Sequence, residues 1–138
     1  MDKVTPTNEE YEYEGKIIIS QTDTDGVLTY VNKKFCEISG YEASELIGQN
    51  MSIIKNDDMP ESVIAKIWKN IKDGQSWNGL FKNLRKDGKF YWVDTEITPV
   101  RDDETTKIIG YISVGRPASS KDIADNDEQY KKMIEVQW

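Results

Sequence analysis

Histidine is absent, and cysteine occurs once, at position 36, in a chain of 138 residues. Without histidine there is no usual proximal haem ligand and no imidazole to serve a catalytic triad or act as general base. A lone Cys36 cannot close an internal disulfide, hold an iron–sulfur cluster or build a zinc site. Neither haem nor metal is therefore expected, and any redox chemistry must sit on an organic cofactor. No apolar run approaches the roughly 20 residues of a membrane helix, so direct membrane insertion is not expected. Met1 to Glu14 is polar and acidic, without the apolar core of a secretory signal, and a cytoplasmic location is the expectation. Basic charge is also scarce: 18 Lys and Arg stand against 25 Asp and Glu, for a net charge of −7. The bases are dispersed, and the short Lys82–Lys89 cluster is interrupted by Asp87. Such a field repels phosphate backbones and argues against a nucleic-acid partner. The many carboxylates form no constellation of nucleophile and base, so turnover chemistry is not expected.

What is present reads as one ordinary globular domain. Residues 1–15, with Pro6 and little periodicity, read as a flexible lead. Lys16 to Ser20 is a short β-branched strand, and Asp23-Thr24-Asp25-Gly26 is a hairpin turn leading into a return strand over Val27–Val31. Asn32 stands where a helix N-cap belongs, with Gly40 as the matching C-cap. Glu42 to Ile47 is a further helical turn stopped by Gly48. Asp58-Met59-Pro60-Glu61 opens the clearest helix, with Asp58 as cap and Glu61 as a capping-box acid. Val63, Ile64, Ile67, Trp68 and Ile71 recur at helical spacing before Asp73-Gly74 ends the run.

The remainder is β: Trp77–Arg85, Phe90–Val100 and Ile108–Val114, with Gly115 and Pro117 breaking the last strand. From Ser120 a helix is expected, with Ile123, Tyr130 and Met133 on a heptad seam shared by Asn126 and Gln137. The order predicts an α+β domain: a five-stranded antiparallel sheet covered on one face by short helices, with a pocket between the layers. A sensor domain over 16–116 and a C-terminal linker or signalling helix over 117–138 complete the division.

This order, together with Thr29-Tyr30-Val31-Asn32, Ile38-Ser39-Gly40-Tyr41, Glu45-Leu46-Ile47-Gly48 and Arg85-Lys86-Asp87-Gly88, resembles the PAS family over residues 16–116. Within that family, Asp58-Met59-Pro60, Trp68, Gly74-Gln75-Ser76-Trp77-Asn78-Gly79 and Lys82-Asn83-Leu84-Arg85 are similar to the flavin-binding domains of bacterial aerotaxis receptors and nitrogen-fixation redox sensors. Those relatives hold FAD non-covalently and sense its reduction. The resemblance implies the same here, with FMN as the lesser candidate. It also implies a homodimer that reports redox or oxygen status to a chemoreceptor or histidine-kinase partner, without being an enzyme. The alternative is a cofactor-free PAS module used for dimerisation or partner docking. LOV photoreceptors also resemble the chain over Asn83–Arg101. Their reactive cysteine falls in the loop that here reads Asn50-Met51-Ser52. Val93 replaces a flavin-contacting Asn, and Gly115 stands for their switching Gln, so LOV photochemistry is not expected.

The resemblance implies eight cofactor-binding candidates, each with a plainer reading. The Asn83 amide could donate to and accept from a flavin edge, or satisfy nearby backbone. Asn56 could contact the ring or form an Asx turn. Lys55 could neutralise a phosphate or reduced flavin, or be a solvated lysine. Trp68 and Trp77 could wall the ring or adenine, or be core. Asn32 is a cap that could preserve the pocket indirectly. Asp58 is a cap first and a site residue second, and Met51 fills space beside the ring.

Overall fold

The computed structural model describes residues 3–136. Strands β1 (Ile18–Thr22) and β2 (Leu28–Val31) form the first hairpin. Its turn is held by Asp23, whose Oδ1 accepts from Asp25 N and Val27 N, both at 2.9 Å. Gly26 takes a φ of 85°, and a Cβ there would lie 3.0 Å from the Trp68 ring, so both backbone and space call for glycine.

Helix α1 (Lys33–Ser39) starts where the sequence places it. Asn32 Oδ1 accepts from Phe35 N at 2.9 Å and also from Ile19 N at 3.1 Å. Helix α2 (Ala43–Leu46) carries a reciprocal capping box between Glu42 and Glu45. A 3₁₀ turn over Met51–Ile54 follows, and then α3 (Glu61–Lys72), which buries Ile67 and Ile71.

Strands β3 (Trp77–Leu84), β4 (Phe90–Arg101) and β5 (Ile108–Pro117) complete the sheet, and α4 (Ser120–Val136) leaves it. The spatial order is β2-β1-β5-β4-β3, with every pairing antiparallel. The expected α+β class, with five antiparallel strands and short helices over one face, is the observed one.

Four local expectations are corrected. β5 does not stop at Val114: it runs to Pro117, because Gly115 allows close packing that a Cβ would obstruct, 2.6 Å from Val93 Cγ2 and 2.8 Å from Ile18 Cγ1.

Asp58 does not cap α3. Pro60 occupies the N-cap and no side chain bonds there. Asp58 Oδ2 instead meets Lys82 Nζ at 2.6 Å. The Lys82 ammonium, 9% exposed, needs a counter-charge more than the helix needs a cap. Glu61 likewise pairs with Lys55 at 2.6 Å rather than closing a capping box.

The lead over 1–15 is anchored where it is described. Thr7 N and Tyr11 N donate to Gly88 O and Phe90 O, and Glu10 bridges Phe90 in parallel. This is possible because β5 ends opposite Val93, leaving the edge of β4 unpaired beyond it. Tyr13 is buried, and its hydroxyl donates to Gly115 O at 3.1 Å.

The seam expected on α4 is occupied within the molecule. Tyr130 stacks on Trp92 at 6.3 Å and donates to Leu80 O at 2.8 Å. Ile123 and Met133 join the same cluster. Gln137, the other polar position expected on that seam, lies outside the described residues.

Candidate functional site

A cavity of about 170 Å³ lies between the sheet and the layer made by the 3₁₀ turn and α3. Alternation along the strands builds its floor, since every second side chain faces the helical layer. β1 contributes Ile18, Ser20 and Thr22; β4 contributes Val93, Thr95 and Ile97; β5 contributes Tyr111, Ser113 and Gly115. Register places Ser20 opposite Ser113, and Gly115 between Ile18 and Thr95. The middle of the floor is therefore made of serine, threonine and glycine, where a filled core would carry Leu or Ile. The opposing wall is apolar, with Ile64, Ile67, Trp68 and Ile71 of α3 and Met51 of the 3₁₀ turn. Small polar groups below and flat apolar surface above suit a planar heteroaromatic ring, with hydrogen-bonding atoms on one edge.

Four of the expected site residues border this cavity: Met51, Lys55, Trp68 and Asn83. Trp68 stands edge-on to Tyr111 at 6.0 Å. Lys55 forms a backbone bridge to Asn83, closing the rim over β3, while its ammonium holds Glu61. Asn83 is 7% exposed.

The other four stand elsewhere. The Asn32 amide is committed to the start of α1 and to Ile17 O at 3.2 Å. Asn56 is buried in an Asx turn, Oδ1 accepting from Asp58 N at 2.9 Å. Asp58 is held on Lys82. Trp77 lies edge-on behind Phe81 at 5.3 Å and supports that cavity residue from outside. Asn32, Asn56 and Trp77 take the plainer of the readings that the sequence allowed, whereas Asp58 takes neither, being held in the ion pair with Lys82.

Sequence reasoning missed Ser20, Thr95 and Ser113. Their signal was available as three strand triplets with a small polar residue at the centre, Ile18-Ser20-Thr22, Val93-Thr95-Ile97 and Tyr111-Ser113-Gly115. No cysteine borders the cavity: Cys36 is on α1, and burial pushes its thiol pKa up, which disfavours the thiolate.

Beside Asn83 on the same sheet face stands Tyr91, fully buried. Burial raises the phenol above its ordinary pKa, with Asn83 and Arg85 acting in the opposite direction. A second cleft, of about 370 Å³, lies across the 3₁₀ turn and shares Asn50, Ser52 and Lys55 with the cavity, with Lys3 on its far side.

A five-stranded antiparallel sheet with short helices over one face and a cavity between the layers defines an α+β module. The chain belongs to the PAS domain family, whose model matches residues 15–120. It is 37% identical over 117 residues to the aerotaxis receptor of Escherichia coli K12, covering 84% of this chain and 22% of that protein. It is 33% identical over 87 residues to the nitrogen fixation regulatory protein of Klebsiella pneumoniae, covering 63% of this chain and 18% of that protein. The chain thus spans about a fifth of the length of these curated relatives. A solved light-oxygen-voltage domain, studied with a flavin analogue, superposes with a TM-score of 0.67 at 24% identity over 88% of this chain and 87% of its own. Among the described residues no helix is long and apolar enough to cross a membrane.

Proposed function

We propose that this domain binds a flavin non-covalently and reports its redox state to a signalling partner. The observation that carries the reading is the open floor at Ser20, Thr95, Ser113 and Gly115 beneath the apolar wall of α3. The likeness to an aerotaxis receptor and to a light-oxygen-voltage domain probed with a flavin analogue supports the same ligand class. FAD is favoured over FMN because the neighbouring cleft offers room for the adenosine; of its charged lining, Lys55 is paired with Glu61, and Lys3 stands with Asp57.

A bound flavin would supply reversible uptake of electrons and a proton. The chain supplies the rest. Ile67, Trp68 and Ile71 would exclude water from the ring, and the cavity-lining Asn83, Thr95 and Ser113 would offer it hydrogen-bonding groups. Asn83 sits on β3, whose Leu80 carbonyl holds α4 through Tyr130. A change in hydrogen bonding at Asn83 therefore bears on the strand to which the exit helix is latched. The reading is of a sensor that reports redox state without turnover. The output partner is a receptor or kinase module, and the location is cytoplasmic.

The test is the spectrum of the purified protein, as isolated and after reconstitution with FAD or FMN. Absorption near the flavin bands that survives gel filtration, with FAD released on heating, supports the reading. A protein that stays colourless with both flavins ends it.

A further inference from the structure

Among the described residues, Lys55 is the one cationic side chain on the cavity lining, and no carboxylate borders it. Its ammonium is already engaged: Nζ meets Glu61 Oε1 at 2.6 Å, on a carboxylate that is 73% exposed. The Lys55 backbone is fixed by its bridge to Asn83, so the side chain alone decides where that charge goes. Glu61 stands in the first turn of α3, whose later turns supply Ile64, Ile67, Trp68 and Ile71 to the wall. The other titratable group on the lining is Tyr111 of β5, a phenol that burial pushes up in pKa and keeps neutral. β1, β3 and β4 present no charged group to the cavity. Lys72 lies over the Trp68 ring at 5.5 Å but is not on the lining, and Lys3 and Asp57 belong to the second cleft.

We infer that Glu61 is a positioning residue that holds the Lys55 charge out of the cavity, so that the cavity keeps its ligand uncharged in both redox states. An anion among apolar side chains, without a paired cation, is strongly disfavoured, so an acid bound there holds its proton more tightly than in water. Surface ion pairs are weak on their own. Turning Lys55 inward, however, would take its ammonium out of water as well as away from Glu61, and that desolvation opposes the move. The floor suits a neutral ring in either state. The hydroxyls of Ser20, Thr95 and Ser113 both donate and accept, so they match an edge that accepts before reduction and donates after it.

This inference rests on the flavin reading and fixes how many protons travel with the electrons. Reduction takes two electrons from an external reductant, dithionite in the test below, and two protons from water, one to each ring nitrogen that gains an N–H, and the ring stays neutral. With one proton fewer the ring would carry a negative charge, and Lys55 is the lining residue placed to meet it. Glu61 keeps Lys55 from doing so.

The experiment is an anaerobic dithionite titration of the FAD-reconstituted protein against reference dyes, from neutral to mildly alkaline pH. It compares wild type, Glu61→Gln, and Glu61→Gln combined with Lys55→Ala. The wild-type midpoint potential should fall by about 59 mV per pH unit, a hundredfold in the equilibrium constant and the mark of two protons per two electrons. Glu61→Gln frees the ammonium beside the ring, and its potential should fall by only about 30 mV per pH unit, the value for one proton. The double variant should return to the wild-type slope. A shallow slope in the wild type overturns the inference, as does a Glu61→Gln slope equal to that of the wild type or a double variant that stays shallow. Loss of flavin from Glu61→Gln alone also overturns it, because the carboxylate would then be holding the ligand itself. Failure of the flavin reading shows earlier and differently: a wild type that takes up no FAD on reconstitution has no flavin spectrum to titrate, and that ends both.

Discussion

The two ends of one sheet face are covered in opposite ways. At the end covered by α1 and α2 the layers are fully packed: Ile38 of α1 and Leu28 of β2 are 1% exposed, and Leu46 of α2 and Tyr91 of β4 are 0%. Under the 3₁₀ turn and α3 the helical layer is just as apolar, but the strands below offer Ser20, Thr95, Ser113 and Gly115. The strands alternate in the same way at both ends; the side chains they present differ in size and polarity. A packed interior has few voids larger than a water molecule, and the cavity of about 170 Å³ at the second end is where the proposed ligand would sit.

That contrast can be broken at either end. The largest loss is expected from Leu46→Ala, which opens a void in the filled end. It should cost about 2–5 kcal/mol, read as a lower urea midpoint, and a loss near zero would mean that this end is not tightly packed. Asn32→Ala should cost about 1–2 kcal/mol. It frees the start of α1 and its tie to β1, and the same denaturation series reads it. Flavin affinity measured well below the melting temperature should stay within twofold, because Asn32 is not on the cavity wall. A large drop in affinity with little loss of stability would return Asn32 to the site.

Tyr130→Phe should cost about 1 kcal/mol by leaving Leu80 O without its donor, and hydrogen exchange should quicken along α4 while the sheet stays protected. Exchange that is unchanged would show that the helix is held by apolar contact with Trp92 alone. The smallest stability effect is expected from Ser113→Leu. In a filled core such an insertion costs about 1–3 kcal/mol; at the open floor it should cost less than that range, while flavin affinity falls at least tenfold. A severe loss of stability would mean that the floor is already close-packed.

Much of this was legible in the sequence because it is local. Asn32 and Gly40 bound α1, Asp23 and Gly26 fix the first hairpin, and period-two runs mark β3 to β5. The expectations that changed all depend on partners distant in sequence. Asp58 looked like a cap until Lys82, on a strand 24 residues on, drew it away. Tyr130 looked like a coiled-coil position until Leu80 and Trp92 claimed it. The lead over 1–15 looked unstructured because its anchor, the unpaired edge of β4 at Phe90, is visible only once β5 is seen to end early. At the site, the resemblance drew notice to Asn32, Asn56 and Asp58, each of which serves the backbone or an ion pair. The floor residues escaped notice because a single serine in a strand carries no message. Two serines paired by register, with Thr95 and Gly115 paired beside them, do.

The central claim is tested most directly by titrating the ¹⁵N-labelled protein with FAD and following its amide resonances. Saturable shifts are predicted at Ser20, Asn83, Thr95 and Ser113, with Ile38 and Leu46 unmoved. Shifts that fail to saturate, or that fall instead on exposed positions such as Tyr30 and Ile109, would contradict the account.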